Sequence, residues 1–340
     1  MARARQPRLL PGPGGARRHA HRANRGAPAS YGGPHLTAFE LGLGLQSNKS
    51  IEQYESIARR AEAAGFDVLT VFHDLFFQPA IFPLLTIARV TERVRLGPAA
   101  LNATTLHPVE IAGQTAALDL ASGGRAYAGI VTGSWLDRLG IEEDRPLTRL
   151  REAVEVVRRV LAGDTSGFAG EQFTLAPGAA LAYQPLRRQV PLLIGTWRPR
   201  AAAFAATVAE EVKIGGCANP DMVRLMREWL GPDGPRIVVG AVTVVGEDGD
   251  AARRRAAEEV RMYLDVVGRL DPTLELAPGE PVPLEKFVLA GTPDDVARQT
   301  IALIDAGAHR VEFGTPQGQT TEEGVALLCD RVLPAVRDGG

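Results

Sequence analysis

The chain of 340 residues holds only two cysteines, Cys217 and Cys329, and six scattered histidines. Two thiols cannot build a disulfide framework, and no zinc-ligand spacing is present, so no metal site is expected and a reducing cytoplasm is the simplest setting. Apolar runs long enough to span a bilayer are missing, and so is the apolar stretch of a secretory signal. The Gly-x-Gly-x-x-Gly and P-loop fingerprints are also absent, which removes the ordinary nicotinamide and nucleoside-triphosphate readings. A nucleophile elbow is not found either. Acidic residues are missing from one place: none precedes Glu40, while Arg3, Arg5, Arg8, Arg17, Arg18, Arg22 and Arg25 crowd the same segment. The formal net charge is −2, so the chain without that +7 carries about −9, which argues against a nucleic-acid-binding body. Residues 1–38, rich in Arg, Pro, Gly and Ala, cannot offset ordering entropy by burial and are expected to be a disordered basic tail.

From Phe39 onward, short runs rich in β-branched residues alternate with segments of helical period, the pattern of βα units around a parallel sheet. The expected strands are 39–45, 67–72, 94–101, 126–132, 190–196, 212–215, 236–245 and 310–313. Helices fit 50–64, 82–92, 108–121, 148–161, 200–209, 221–230, 251–267, 294–306 and 321–336. Ser50 with Gln53 three residues on reads as a capping box, and Thr292-Pro293-Asp294-Asp295 opens a later helix with a cap, a first-turn proline and two acids. Eight such units in one run predict an α/β fold, a single (β/α)8 TIM barrel over residues 39–338. Two insertions interrupt it: 162–189, with a small hairpin near 168–175, and the Pro-rich 268–290.

Barrels of this kind place their chemistry just after the strands. The residues there are Gln46 and Ser47; His73 and Asp74; Asn102 to Thr105; Gly133, Ser134 and Trp135; Trp197 and Arg198; Gly216 to Asn219; and Gly314 to Pro316. No lysine occurs among them, which disfavours Schiff-base chemistry. Three neighbouring units carry glycine turns at a strand end, Thr132-Gly133-Ser134, Gly195-Thr196-Trp197-Arg198-Pro199 and Gly215-Gly216-Cys217-Ala218-Asn219-Pro220. The last two run into helices, and turns and helix N-termini of this kind hold anions such as phosphate. Arg198 adds a fixed charge suited to phosphate or carboxylate. His107 stands before Pro108 as a helix cap.

The stretch Thr91-Glu92-Arg93-Val94-Arg95-Leu96-Gly97-Pro98-Ala99-Ala100-Leu101-Asn102 with His107-Pro108 resembles the third strand and following loop of the bacterial-luciferase-like flavin and deazaflavin enzymes. Val71 to Pro79, Ala128 to Trp135, Ile194 to Pro199 and Leu289 to Val296 match in the same order, so the resemblance spans about 39–336. It points to the branch that uses coenzyme F420, typified by methylenetetrahydromethanopterin reductase. The resemblance implies a non-prolyl cis peptide at Ala99–Ala100, forming a bulge against the central ring of the deazaflavin. It also implies that Asp74 lies beside the ring edge, with His73 next to it, both as catalytic candidates. Asn102, Thr132, Gly133 and Ser134 fall near the cofactor, as do Gly195, Thr196, Trp197 and Arg198 on the fifth strand and Gly216, Cys217 and Ala218 on the sixth turn. Leu75 and Ser134 stand where the sugar-phosphate dehydrogenases of the family carry a catalytic His and Glu, which turns the reading away from alcohol oxidation. The implied activity is hydride transfer from reduced coenzyme F420 to a C=N or C=C carbon of a small organic or peptide substrate, in a homodimer that binds no nucleic acid or membrane. A monooxygenase using FMN and molecular oxygen is the first alternative, and a non-catalytic cofactor-binding partner protein the second.

Overall fold

The computed structural model describes residues 39–133, 135–261, 263–277 and 280–339. The expected tail, 1–38, and Ser134 lie outside these. In chain order the first elements are β1 (Glu40–Leu45), α1 (Ile51–Ala64), β2 (Val68–Val71), α2 (Ile81–Val90), β3 (Arg95–Pro98), β4 (Leu101–Asn102), α3 (Pro108–Ala121), β5 (Ala128–Val131) and α4 (Pro146–Ala162). Then come β6 (Phe168–Ala169), β7 (Thr174–Leu175), β8 (Leu192–Gly195), α5 (Pro199–Val208), β9 (Glu211–Gly215), α6 (Pro220–Leu230), β10 (Arg236–Val245), α7 (Gly249–Val260) and α8 (Leu264–Leu270). The chain ends with β11 (Val288–Gly291), α9 (Pro293–Asp305), β12 (Arg310–Gln317), α10 (Thr321–Leu327) and α11 (Leu333–Gly339).

Hydrogen bonding orders the parallel sheet β3-β2-β1-β12-β10-β9-β8-β5-β4, with β11 paired to the second half of β10. Because β3 and β4 are two halves of one strand, interrupted at Ala99–Ala100, the two ends of that order meet and the sheet closes into an eight-stranded barrel. The insertion hairpin 168–175 is present as the antiparallel pair β6 and β7. Ser50 and Thr292 make the expected capping boxes of α1 and α9, and the His107 ring accepts the Val109 N–H at the start of α3.

The strands alternate between two environments. Leu41, Leu43 and Leu45 of β1, Val212 and Ile214 of β9, and Val311 and Phe313 of β12 are fully buried in the main apolar core. Between them stand Glu40, Gly42 and Gly44; Glu211, Lys213 and Gly215; and Arg310, Glu312 and Gly314, which face the barrel axis. At the N-terminal end of the axis, Arg95 bridges Glu40 and Glu211, and Arg310 meets Glu211 and Glu312 at 2.9 Å each. Arg236 joins through Glu40. One level higher Glu312 also receives Lys213 and the Thr70 hydroxyl, and Thr70 meets the Tyr127 hydroxyl at 2.7 Å. A Cβ on Gly240 would stand 3.0 Å from Lys213 Cε, so the glycine leaves the lysine its path from β9 across β10 to β12.

Several boundaries differ from expectation. The strand β11 falls mostly inside the stretch expected to be a Pro-rich insertion, its four buried residues being too short a run for periodicity to register. The expected helix 251–267 is two helices, α7 and α8, and 321–336 is divided by a π-helical turn at Leu328–Val332. Pro334, which cannot donate to the carbonyl four residues back, follows that turn directly. The last strand runs on from Phe313 to Gln317 through a cis Thr315–Pro316 bond.

Burial would raise the Glu211 carboxyl, but the Arg310 and Arg95 guanidiniums outweigh it and hold it at about 2. Glu312 is likewise lowered, against burial, by Lys213 and Arg310. A carboxylate whose folded pKa lies below its unfolded value of about 4.3 gives stability that is present above that value and lost as pH falls through the folded one. The thermal midpoint of the protein therefore drops between about pH 4.5 and pH 2. Glu211→Gln, which leaves two buried guanidiniums short of a counter-charge, is expected to cost about 3–5 kcal/mol at neutral pH and to flatten that acid limb. Melting curves followed by circular dichroism check both, and an unchanged midpoint in the variant contradicts the account.

Candidate active site

Above the axial charges Gly215 ends the inward row of β9, and a Cβ there would meet nothing within 4 Å. A cavity of about 810 Å³ opens there, at the C-terminal ends of the strands. Buried Lys213 and Leu193 form its floor, and Ala99, Ala100, Val131, Thr132 and Gly133 line one wall. Gly195, Thr196, Trp197 and Arg198 line another, continued by Arg200 and Ala201 of α5, while Arg145, Leu147 and Glu171 come from the segments around the first insertion.

The peptide Ala99–Ala100 is cis, as the resemblance implies. The Ala99 N–H donates to Val71 O at 2.9 Å, which holds the bulge against β2. In the turn after β8 the Trp197 indole N–H donates to Gly215 O at 2.9 Å and its ring stacks on Phe287, so this aromatic is a fixed wall. Arg198 and Arg200 are exposed at the rim. The first-turn N–H groups of a helix have no intrahelical acceptor; in α5 the Arg200 and Ala201 amides occupy that turn, beside the two guanidiniums. This is an anion-binding arrangement.

The other candidates are placed differently. Asn102 sits behind the wall: its Oδ1 accepts the Thr104 N–H at 2.8 Å, and its amide fills the space a Cβ on Gly133 would need. Gly133, at φ 102, is glycine for both reasons. The amides of Gly216 and Cys217 donate to Gly240 O, and that of Ala218 to Lys286 O, so the sixth turn spends its N–H groups within the protein. None of these three residues lines the cavity. Cys217 is fully buried, and burial pushes its thiol up to about 12. Trp135 adopts φ 54 and lies under the Arg138 guanidinium, away from the cavity lining.

His73 and Asp74 follow β2. The His73 Nδ1 accepts the Ala80 N–H at 3.2 Å at the start of α2, which leaves only Nε2 for chemistry. Burial lowers the His73 pKa, offset in part by Asp74. Burial raises that of Asp74, with the Gln46 side chain, His73 and Lys213 acting in the opposite direction. Asp74 is thus shifted toward its neutral acid and lies within electrostatic reach of Lys213, but neither it nor His73 is among the residues that line the cavity.

Lys213, Gly215, Arg200 and Arg145 were not among the strand-end candidates. Lys213 and Gly215 lie within β9 rather than after it. Their signal is the alternation Glu211-Val212-Lys213-Ile214-Gly215, repeated as Arg310-Val311-Glu312-Phe313-Gly314, which marks polar residues facing a barrel axis.

A closed barrel with a cis bulge on its third strand and an arginine-flanked helix N-terminus after its fifth describes a class of cofactor-binding (β/α)8 enzymes. The family model "luciferase-like monooxygenase" matches residues 34–310, and the chain belongs to that family. It is 27% identical over 335 residues to the 5,10-methylenetetrahydromethanopterin reductase of Archaeoglobus fulgidus, covering 88% of this chain and all of that protein. Among solved structures, the coenzyme F420-dependent tetrahydromethanopterin reductase from Methanopyrus kandleri superposes with a TM-score of 0.77 at 22% identity, covering 87% of this chain and 99% of that one. A monooxygenase from Streptomyces bottropensis superposes at 0.71 with 23% identity, covering 87% and 99%. At such identities the structural likeness establishes the fold. Among the described residues no helix is long and apolar enough to cross a membrane.

Burial of Cys217, and of Cys329, whose thiol burial pushes up to about 11, predicts that neither reacts in the native state. A thiol-disulfide reagent at pH 8 should find no fast thiol in the folded protein and two after denaturation. Rapid native labelling of Cys217 would place it on an accessible surface instead.

Proposed function

We propose that the protein is an oxidoreductase that uses coenzyme F420 to reduce a C=N or C=C bond of an organic or peptide substrate. The observation that carries the reading is a single cavity that joins the Ala99–Ala100 bulge to the α5 N-terminus. The bulge offers small side chains against which a flat ring can lie, and Arg198, Arg200 and the first turn of α5 offer charge for a phosphate tail. The names of its relatives point the same way: the Archaeoglobus protein is a 5,10-methylenetetrahydromethanopterin reductase and the Methanopyrus protein a coenzyme F420-dependent tetrahydromethanopterin reductase. When bound in its reduced form, coenzyme F420 supplies a hydride from its ring carbon to the unsaturated carbon of the substrate.

The residues of the chain have simpler tasks. Ala99, Ala100, Thr132 and Gly133 shape the wall that orients the ring, and Trp197 closes the side fixed by Phe287 and Gly215. Asp74, whose pKa burial raises, is the carboxyl we assign to protonate the atom next to the reduced carbon. His73 positions Asp74 while its Nδ1 anchors α2. The turn at Gly216, Cys217 and Ala218 has no part in holding the phosphate, because its amides are already bonded.

Equilibrium titration with oxidised coenzyme F420 and with FMN tests the reading. Tight binding of the first and weak binding of the second is expected; the reverse favours the monooxygenase alternative. A Cβ on Gly215 would meet nothing within 4 Å, and its φ is ordinary, so Gly215→Leu is expected to fold normally and fill the cavity. Its affinity for coenzyme F420 should fall at least about tenfold, a loss of roughly 1.4 kcal/mol. Turnover should decline as pH rises through the raised pKa of Asp74, and Asp74→Asn should be slow at every pH and lack that decline. Unaltered turnover in Asp74→Asn, with cofactor bound, would remove Asp74 from the chemistry.

A further inference from the structure

One carboxylate behind the cavity lining ties together segments that reach the cavity separately. In the run Glu142-Glu143-Asp144 the flanking acids are exposed, whereas the Glu143 side chain turns inward, at 7% exposure. Its Oε1 accepts the Arg145 N–H at 3.2 Å, and its Oε2 lies 3.1 Å from the Thr104 hydroxyl. The Arg149 guanidinium on α4 pairs with the same carboxylate. The Thr104 hydroxyl also stands 3.2 Å from Thr132 O, with one proton to share between the two acceptors.

Thr104 follows β4, and the Asn102 side chain that accepts its N–H is the one packed against Gly133. Thr132 follows β5 and lines the cavity, as do Arg145, Pro146, Leu147 and Thr148 around the start of α4. Glu143 therefore joins one wall of the cavity to the helix start that completes it. A carboxylate accepts on both oxygens, so it can serve an amide, a hydroxyl and a guanidinium at once, and its charge strengthens each bond. A carboxamide at the same place would turn an NH2 group toward one of those donors. The insertion hairpin has its own anchor: Glu152 accepts the amides of Glu171, Gln172 and Phe173 at 2.7, 2.8 and 3.0 Å. Arg149 adds to it through the Gln172 side chain at 2.5 Å and its position over the Phe173 ring. Loss of the Glu143 charge thus leaves the hairpin held and Arg149 with other partners.

We propose that Glu143 is a positioning residue for the bound cofactor, fixing the start of α4 against Thr132 and so setting the shape of the cavity in which the ring lies. Glu143 itself is not among the lining residues and acts through Thr104 and Arg145. The inference rests on the cofactor assignment above.

Titration with oxidised coenzyme F420, visible circular dichroism of the bound ring and melting curves test the role. A flat ring takes its optical activity from the asymmetry around it, so the signal at saturating cofactor reports how the ring lies and is not moved by a loss of stability alone. Glu143→Gln should weaken binding about tenfold, roughly 1.4 kcal/mol, and alter the bound-ring spectrum. Thr104→Val, which removes only the hydroxyl between Glu143 and Thr132, should alter the spectrum in the same sense. The two substitutions together should do little more than Glu143→Gln alone, because they break one path. Thr104→Val also serves if Glu143→Gln fails to fold. Wild-type affinity and a wild-type spectrum at saturation in the folded variants, whatever their melting temperatures, overturn the role of Glu143 and leave the cofactor assignment standing. Failure of the wild type to bind coenzyme F420 overturns the assignment and this inference together.

Discussion

A chain of buried charges runs along the barrel axis from Arg95 and Glu40 through Arg310 and Glu211 to Glu312 and Lys213. Buried ion pairs are weak sources of net stability but severe when broken, because the partner left behind keeps its desolvation penalty. Each member is therefore constrained by the others: the strands that carry them must hold their relative register, or a charge is orphaned. The leucines and valines on the opposite faces of the same strands supply the ordinary apolar burial against the helices. The barrel thus divides its work, with apolar contact outside the sheet and charge pairing within it.

The order of residues along each inward row also creates the site. Large charged side chains fill the N-terminal end, and Gly215 ends the row on β9 with open space beside it, whereas Gly44 is covered by the Phe72 ring and Gly314 by the Ala241 backbone. The bulge between β3 and β4 widens one wall, and α5 brings its N-terminus and two arginines to the rim. Lys213, the upper end of the ion-pair network, lies among the residues that line the cavity.

Much of this was legible in the sequence. Strand and helix order, the Ala99–Ala100 bulge and the β8 turn into Pro199 followed from βα alternation and from the family resemblance. Other parts were not, for definite reasons. A search limited to residues after each strand passes over Lys213 and Gly215, which face the cavity from inside β9. The glycines at 215 and 216 look alike as letters, yet Gly215 faces open space while the amide of Gly216 is bonded to Gly240. Hydrogen bonds between distant segments decide that difference, as they decide that His73 caps α2. The split of 251–267 into two helices escaped because both halves keep helical period.

The central claim is that one cavity holds a deazaflavin between the bulge and the α5 N-terminus. A crystal structure of the protein with bound coenzyme F420 tests it most directly. The account predicts the ring against Ala99–Ala100 and the phosphate at Arg198, Arg200 and the first turn of α5. A phosphate seated at Gly216 to Ala218, or a ring lying away from the bulge, would contradict it.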